Sequence, residues 1–163
     1  MPVTPTFIDF EASSLDLISS YPIEVGVCSP EGETSSWLIK PHVLWLDWSE
    51  QAQEIHGIAR ETLIEHGLEI SEVAESLNQH LPDIVYCDAW TFDSFWLYRL
   101  YRAAKIKPRF QLESISVLLN KTRAQAWQST RESVVIESEI KTHRADNDAL
   151  ILHKTWNRLH HGV

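Results

Sequence analysis

Phe7-Ile8-Asp9-Phe10-Glu11 is the stretch on which the reading of this chain turns. A β-strand has a period of two, so Asp9 and Glu11 point to one face while Ile8 and Phe10 point to the other. Two carboxylates are thereby presented side by side within an apolar run. Keeping such a pair ionised in a partly buried position is unfavourable unless cations neutralise it, and oxygen ligands suit Mg²⁺ or Mn²⁺. Asp9 and Glu11 are therefore read as metal ligands.

Working outward, the first strand spans residues 5–11 and a second runs from Tyr21 to Val27, alternating apolar with polar. Pro30-Glu31-Gly32-Glu33 has turn chemistry, and a third strand from Thr34 to Ile39 stops before Pro41. These three make an antiparallel meander, and the remainder is mostly helical. Short helices are expected over 49–56 and 59–66, broken at Gly57, and Ser71 is suited to cap a helix ending near His80. Asp83–Tyr86 reads as a short strand. Phe92, Phe95, Trp96, Leu100 and Ala103 follow helical spacing behind Thr91 as N-cap, and Arg109–Leu112 reads as a last strand before more helix. In the final helix Ala145, Ala149, Leu152, Trp156 and Leu159 recur at alternating steps of four and three, one apolar stripe. The expected order is β-β-β-α-β-α-β-α, an α/β fold with helices flanking a mixed five-stranded sheet.

At 163 residues, 44% of them hydrophobic and 23% charged, the chain has the size and composition of one globular domain, residues 1–163. The start lacks the pattern of a signal peptide and no apolar run reaches membrane-spanning length, so a cytoplasmic protein with no membrane partner is expected. Cys28 and Cys87 are too few for a thiolate zinc site and read as two buried thiols. Most of the seven tryptophans belong in the core, with some free to stack on bases.

The net charge of −9 at first argues against a polyanionic partner, but its distribution does not. Residues 1–98 carry 17 acidic side chains against only Lys40 and Arg60, whereas residues 99–163 carry 12 Lys and Arg against 6 acidic. Arg99, Arg102, Lys105, Lys107 and Arg109 form the densest basic cluster, followed by Lys121, Arg123 and Arg131. This half is suited to hold phosphates, and a solvated helix face is the alternative for any one of these residues.

Further acidic positions stand in helix-opening sequence: Asp93 opens one helix and Asp148 lies near the start of another. Four carboxylates from distant segments can then converge on two divalent ions. His143 precedes Asp148 by five residues, a rotation of about 140° on a continuous helix, so the two cannot share a helical face. With the helix starting near Asp146, a suitable N-cap, His143 falls in the preceding loop and can lean over the metals. A neutral imidazole, with an ordinary pKa of about 6.5, can take a proton from water there. His56 on its own is a structural or turn histidine, and His160 and His161 look solvent-facing.

These residues together resemble the DEDDh 3'-to-5' exonucleases, whose RNase H-like fold binds two metal ions. The first motif of that family is matched by Phe7-Ile8-Asp9-Phe10-Glu11-Ala12-Ser13-Ser14-Leu15, the second by Thr91-Phe92-Asp93-Ser94-Phe95-Trp96-Leu97, and the third by His143-Arg144-Ala145-Asp146-Asn147-Asp148-Ala149. Glu54-Ile55-His56-Gly57-Ile58 also looks like a segment that members carry close to the substrate's end. The resemblance implies that Asp9, Glu11, Asp93 and Asp148 hold two Mg²⁺ or Mn²⁺ ions and that His143 is the general base. It also implies that Ala12, Leu15 and His56 touch the terminal nucleotides, Leu15 as an apolar wedge.

Two positions depart from the pattern. Asp88-Ala89-Trp90 stands where members often carry His-Asn, so Asp88 is an auxiliary candidate that can contact a metal or His143 or compete with Asp93. Ala12 replaces a hydroxyl residue, leaving only its backbone for the substrate. The implied reaction is metal-assisted hydrolysis at the 3' end of single-stranded DNA or RNA, releasing nucleoside 5'-monophosphates. The family's members often act as dimers, so a homodimer is compatible with this chain. A binding module without turnover and a phosphodiesterase for very short oligonucleotides are the competing readings.

Overall fold

A computed structural model describes residues 3–162; Met1 and Pro2, at the head of the segment inspected for a signal peptide, and Val163 lie outside the described residues. Strands β1 (Phe7–Ala12), β2 (Pro22–Cys28) and β3 (Thr34–Leu38) form the expected antiparallel meander. β4 (Ile84–Cys87) and β5 (Gln111–Ser114) add to it in parallel, giving a five-stranded mixed sheet in the order β3-β2-β1-β4-β5. Helices α1 (Glu50–His56), α2 (Arg60–His66) and α3 (Ile70–His80) link β3 to β4, and α4 (Trp90–Ala104) links β4 to β5. After a 3-10 turn over Ile115–Leu118, α5 (Lys121–Ser138) and α6 (Ala145–His161) follow.

The alternation in β1 divides the core into two layers. Ile8 and Phe10 pack with Val25 and Val27 of β2 against α3 and α4, where Leu77, Trp96 and Leu100 are buried. On the opposite face Phe7 and Cys28 pack against Trp127 of α5 and Leu152 and Trp156 of α6. Asp9, Glu11 and their cross-strand partners Gly26 and Glu24 share that second face. α6 lies so close to β2 that a Cβ at Gly26 would come within 2.2 Å of the Ala145 carbonyl carbon, so only glycine admits this helix.

Several boundaries differ from local expectation. α3 opens at Ile70 with Glu69 as N-cap, so Ser71 lies inside its first turn. The cause is upstream: Leu68 bridges Ile39 in parallel, and the chain enters α3 directly from that extended pairing. α4 opens at Trp90 after Ala89, placing Thr91 within the helix. α6 opens at Ala145, and Asp146 is not its N-cap but sits in the first turn, accepting from the Asn147 N–H at 2.8 Å. Here a distant carboxylate replaces the local cap, because Glu24 Oε1 of β2 accepts from the Ala145 N–H at 2.9 Å. The last strand is displaced to Gln111–Ser114 by its parallel register with β4, while the Arg109 N–H is taken by Asn78 Oδ1.

Both cysteines are buried and free. Trp45, Trp96, Trp127 and Trp156 are core residues, while Trp90 stays largely exposed. No helix among the described residues is long and apolar enough to cross a membrane.

Candidate active site

The site forms where β1 ends between β2 and the parallel β4, and where the first turns of α4 and α6 arrive. Carboxylate oxygens of Asp9, Glu11 and Asp148 lie within 4.8 Å of one another. Asp93, in the first turn of α4, is buried beneath this triad near Asp9 and leaves its Oδ2 without a partner. Above them opens a cleft of about 270 Å³ whose wall includes Ala12, Leu15, His56, Trp96 and His143 with the three carboxylates. Of the sequence-predicted residues, Asp9, Glu11, Ala12, Leu15, His56, His143 and Asp148 line this cleft, while Asp93 is buried near Asp9 without lining it and Asp88 lies apart. Its Oδ2 faces Arg131 Nε at 3.7 Å, outside the lining of the cleft.

Burial and mutual repulsion act in the same direction on these acids. Burial raises Asp9 well above the usual carboxylate range, and the charges of Asp93, Asp148 and Glu11 push it further. Glu11 is pushed up to about 9 by burial, by its hydrogen bond with Asp148 and by the Asp148 and Glu24 charges. Asp93 is raised to about 8, chiefly by burial, against the opposing effect of hydrogen bonds from the Cys87 thiol and from the backbone at Phe10 and Ala89. Asp148 is also raised by burial, opposed by hydrogen bonding to Glu11 and the His143 backbone. Without a cation the cluster favours protons.

His143 and Asp148 are fixed relative to each other. The His143 backbone is left-handed, φ 66°, and its N–H donates to Asp148 Oδ1 at 3.0 Å. This turn places the imidazole at the cleft and outside the helix, the arrangement expected from the five-residue separation. The turn is anchored by its neighbour. Arg144 donates through Nε and an Nη to both oxygens of buried Glu24, at 3.0 and 2.7 Å. Glu24 stands directly across from Glu11, a like-charge pairing that is destabilising unless a cation intervenes. The Arg144 guanidinium supplies the charge, and the α6 N-terminus adds its dipole.

His56 closes the opposite wall. Its Nδ1 accepts from the Ile58 N–H at 3.0 Å, so in the neutral ring the proton sits on Nε2. That Nε2 is buried and has no hydrogen-bond partner among the described residues. Burial also lowers the His56 pKa, which keeps the ring neutral.

The exonuclease family model matches residues 6–155. This chain belongs to the exonuclease family. It is of the DEDDh type within the RNase H-like superfamily, and its sheet order and flanking helices are that fold. Exonuclease I of E. coli, solved in complex with a dA16 oligonucleotide, superposes with a TM-score of 0.70 at 16% identity, covering 94% of this chain and 41% of that one. Exonuclease I of Methylocaldum szegediense, moderately thermophilic, gives 0.63 at 15% identity over 96% and 40%. A product-bound exonuclease I gives 0.68 at 14% identity over 94% and 42%. At such identities the likeness is one of fold, and the chain spans about two fifths of the length of these structures. A search of curated proteins finds no match.

Within this member of the exonuclease family, four residues outside the sequence-predicted set shape the site. Glu24 and Arg144 hold the His143 turn, and Arg131 of α5 brings a positive charge that lowers the pKa of Asp9 and Asp148. Asp47 clamps the loop that carries Leu15, accepting from Ser13 Oγ at 2.8 Å and Ser14 Oγ at 2.7 Å. Glu24 had one sequence signal, an acidic residue in the middle of the apolar strand Ile23–Val27. The others had none, because their partners lie 28 or more residues away.

The acid cluster fits a hard divalent ion. Its donors are all oxygens and three of them are close enough to share one cation, while the orphaned Asp93 Oδ2 is a further oxygen near Asp9 but outside that group.

Proposed function

We propose that this exonuclease is divalent-metal dependent and removes nucleotides in the 3'-to-5' direction from single-stranded DNA or RNA. The observation that carries this reading is the convergence of Asp9, Glu11 and Asp148 to within 4.8 Å, with buried Asp93 alongside. Four acids forced together in an apolar setting cost stability, and cation binding is the function that offsets it. Asp9, Glu11, Asp93 and Asp148 would hold two Mg²⁺ or Mn²⁺ ions. Such ions neutralise phosphate charge, acidify water and stabilise a leaving oxygen.

The chain's own residues do the rest. His143, exposed at the mouth of the cleft with its backbone pinned to Asp148, accepts the proton of the attacking water at an imidazole nitrogen. His56 Nε2–H donates to an oxygen of the terminal nucleotide. Leu15, which is 71% exposed, stands at the rim as an apolar wedge against the last bases, and the Ala12 backbone lies beside it. A cleft of about 270 Å³ is at the small end of ligand sites and suits one terminal residue of a strand. Single-stranded DNA is also the ligand in E. coli exonuclease I complexes.

The test is hydrolysis of oligonucleotides labelled at the 5' end, DNA and RNA in parallel, with Mn²⁺ or Mg²⁺. Stepwise shortening from the 3' end with release of 5'-mononucleotides is expected. No release, or release that persists in Asp9→Ala, defeats the reading.

A further inference from the structure

We propose that the outward face of α4 and the segment after it form a binding track for the upstream part of a single-stranded nucleic acid whose 3' end lies in the cleft. The inference rests on the nuclease reading for the position of that end, and on separate observations for the track itself. From Ser94 to Leu112 there is no acidic residue, yet Arg99, Arg102, Lys105, Lys107 and Arg109 occur there, in a chain whose net charge is −9. None of these five forms an ion pair among the described residues; Arg60, Lys121, Arg123, Lys141 and Lys154 are likewise without one, so what sets the five apart is that they are clustered with no acidic residue between them. A positive dipole requirement at the end of α4 would account for Arg102 alone. It does not account for a run of uncompensated cations beyond the helix.

The cations are interleaved with exposed π faces. Tyr98 is 59% exposed and Trp90 48% exposed, unusual for large aromatics on a helix that also builds the core. Arg102 lies 5.8 Å from the Tyr98 ring centre and donates to its hydroxyl at 2.7 Å. Arg99 lies 5.5 Å from the Trp45 ring and 5.8 Å from Phe95. Tyr98 with Arg102 offers an exposed stacking surface and a positive charge together, which is the chemistry of sequence-tolerant binding to single strands, whereas the Trp45 ring is buried and Arg99 adds its charge beside half-buried Phe95. Tyr98, Arg102 and Lys105 form a shared ridge between two grooves of about 500 and 550 Å³.

The track and the catalytic cleft are built on the same helix, α4. Trp96 lines the cleft, while Phe95, Tyr98 and Arg99 of the same helix line the first groove. Arg99 donates to the Ile18 carbonyl at 3.0 Å, bracing from outside the loop that presents Leu15 inside. From Asp93 to Lys105 the helix rises about 18 Å, enough to hold several nucleotides outside the cleft. The acidic first half of the chain repels a polyanion elsewhere, so this face is where the strand is held.

The test is fluorescence anisotropy of the full chain with fluorescein-labelled dT15 in EDTA, which permits binding without hydrolysis. Arg102→Glu combined with Lys107→Glu changes two exposed side chains and is expected to weaken binding at least tenfold, with a salt slope smaller by about 1.4 for two lost phosphate contacts. Tyr98→Ala is expected to weaken it about fivefold or more while leaving the salt slope unchanged. Both variants must melt as wild type does. Wild-type affinity in the double variant would overturn the proposal, as would a concentration-dependent dimer that the double variant abolishes while dT15 binding stays intact. Variant-sensitive binding without Mn²⁺-dependent cleavage would sustain the track and remove the nuclease reading. Cleavage with variant-insensitive binding would do the reverse.

Discussion

The two halves of the candidate site are held by different means. Asp9 and Glu11 stand on β1, paired to strands on both sides, and their positions follow from sheet register alone. His143 and Asp148 stand on a turn and a helix opening, secured by one buried carboxylate reaching from β2, 120 residues away in sequence. The difference teaches that the strand side supplies a rigid pair of carboxylates, whereas the helix side depends on a single ionic clamp. Substitutions should therefore fail in different ways on the two sides.

The largest effect is expected on the strand side. Asp9→Ala removes one carboxylate from the triad without leaving an unpaired positive charge, so the fold should persist while single-turnover hydrolysis falls by about a thousandfold or more. Loss of repulsion in the metal-free protein should even raise its melting temperature. A fall in both rate and stability would show that the strand carboxylates are structural.

Next comes the clamp. Glu24→Ala leaves Arg144 without its partner and the Ala145 N–H uncapped, so stability should drop by about 3 kcal/mol in urea unfolding. Metal affinity by calorimetry should weaken by about 10- to 100-fold, because Asp148 and the His143 turn lose their anchor. Stability loss with unchanged metal affinity would break the comparison and make the clamp a feature of folding alone.

The third expectation concerns protons. Carboxyl groups in an unfolded chain titrate at about 4, whereas folded Asp93 and Glu11 titrate at about 8 and about 9. Between those limits the metal-free folded state holds protons that the unfolded state lacks, so its stability is greatest near pH 4 and falls as pH rises through 8. Mn²⁺ should reverse this at pH 8, contributing about 2.7 kcal/mol at one hundred times its Kd, and do little at pH 5. Thermal melts at both pH values, with EDTA and with Mn²⁺, provide the measurement. A flat pH profile in EDTA would contradict the crowding of these acids.

What could be read in advance follows the same division. Asp9 and Glu11 were legible because a two-residue period within an apolar run specifies both structure and chemistry. The α6 stripe was legible for the same reason with a different period. The clamp was not, since neither Glu24 nor Arg144 carries a local signal for a partner on a distant element. Local capping chemistry misplaced three helix starts, at Ser71, Thr91 and Asp146, because a bridge, the Ala89 carbonyl accepting from the Asp93 N–H, and the Glu24 carboxylate took over those roles. α5 had no readable boundary, as only Trp127 and Val134 along it are buried. Asp88 drew attention through its spacing, and its partner Arg131 lies on that same illegible helix.

The smallest effect is expected where the strand side meets the substrate. Asp47 accepts from Ser13, Ser14 and Ser19, and Ser13 in turn accepts from the Tyr21 N–H, so one carboxylate stiffens the loop carrying Leu15. Asp47→Ala removes these contacts at a partly exposed position, where the Ser14 and Ser19 hydroxyls can turn to water and only buried Ser13 loses its acceptor. The stability cost should stay near about 1 kcal/mol. The triad itself is untouched, so kcat should hold within about twofold while KM rises about fivefold, the mark of lost uniform binding. Leu15→Ala should match that KM rise without the stability cost. If Asp47→Ala instead lowers kcat as strongly as Glu24→Ala, loop and clamp act on the chemistry as one unit, and the contrast between the two sides of the cleft disappears.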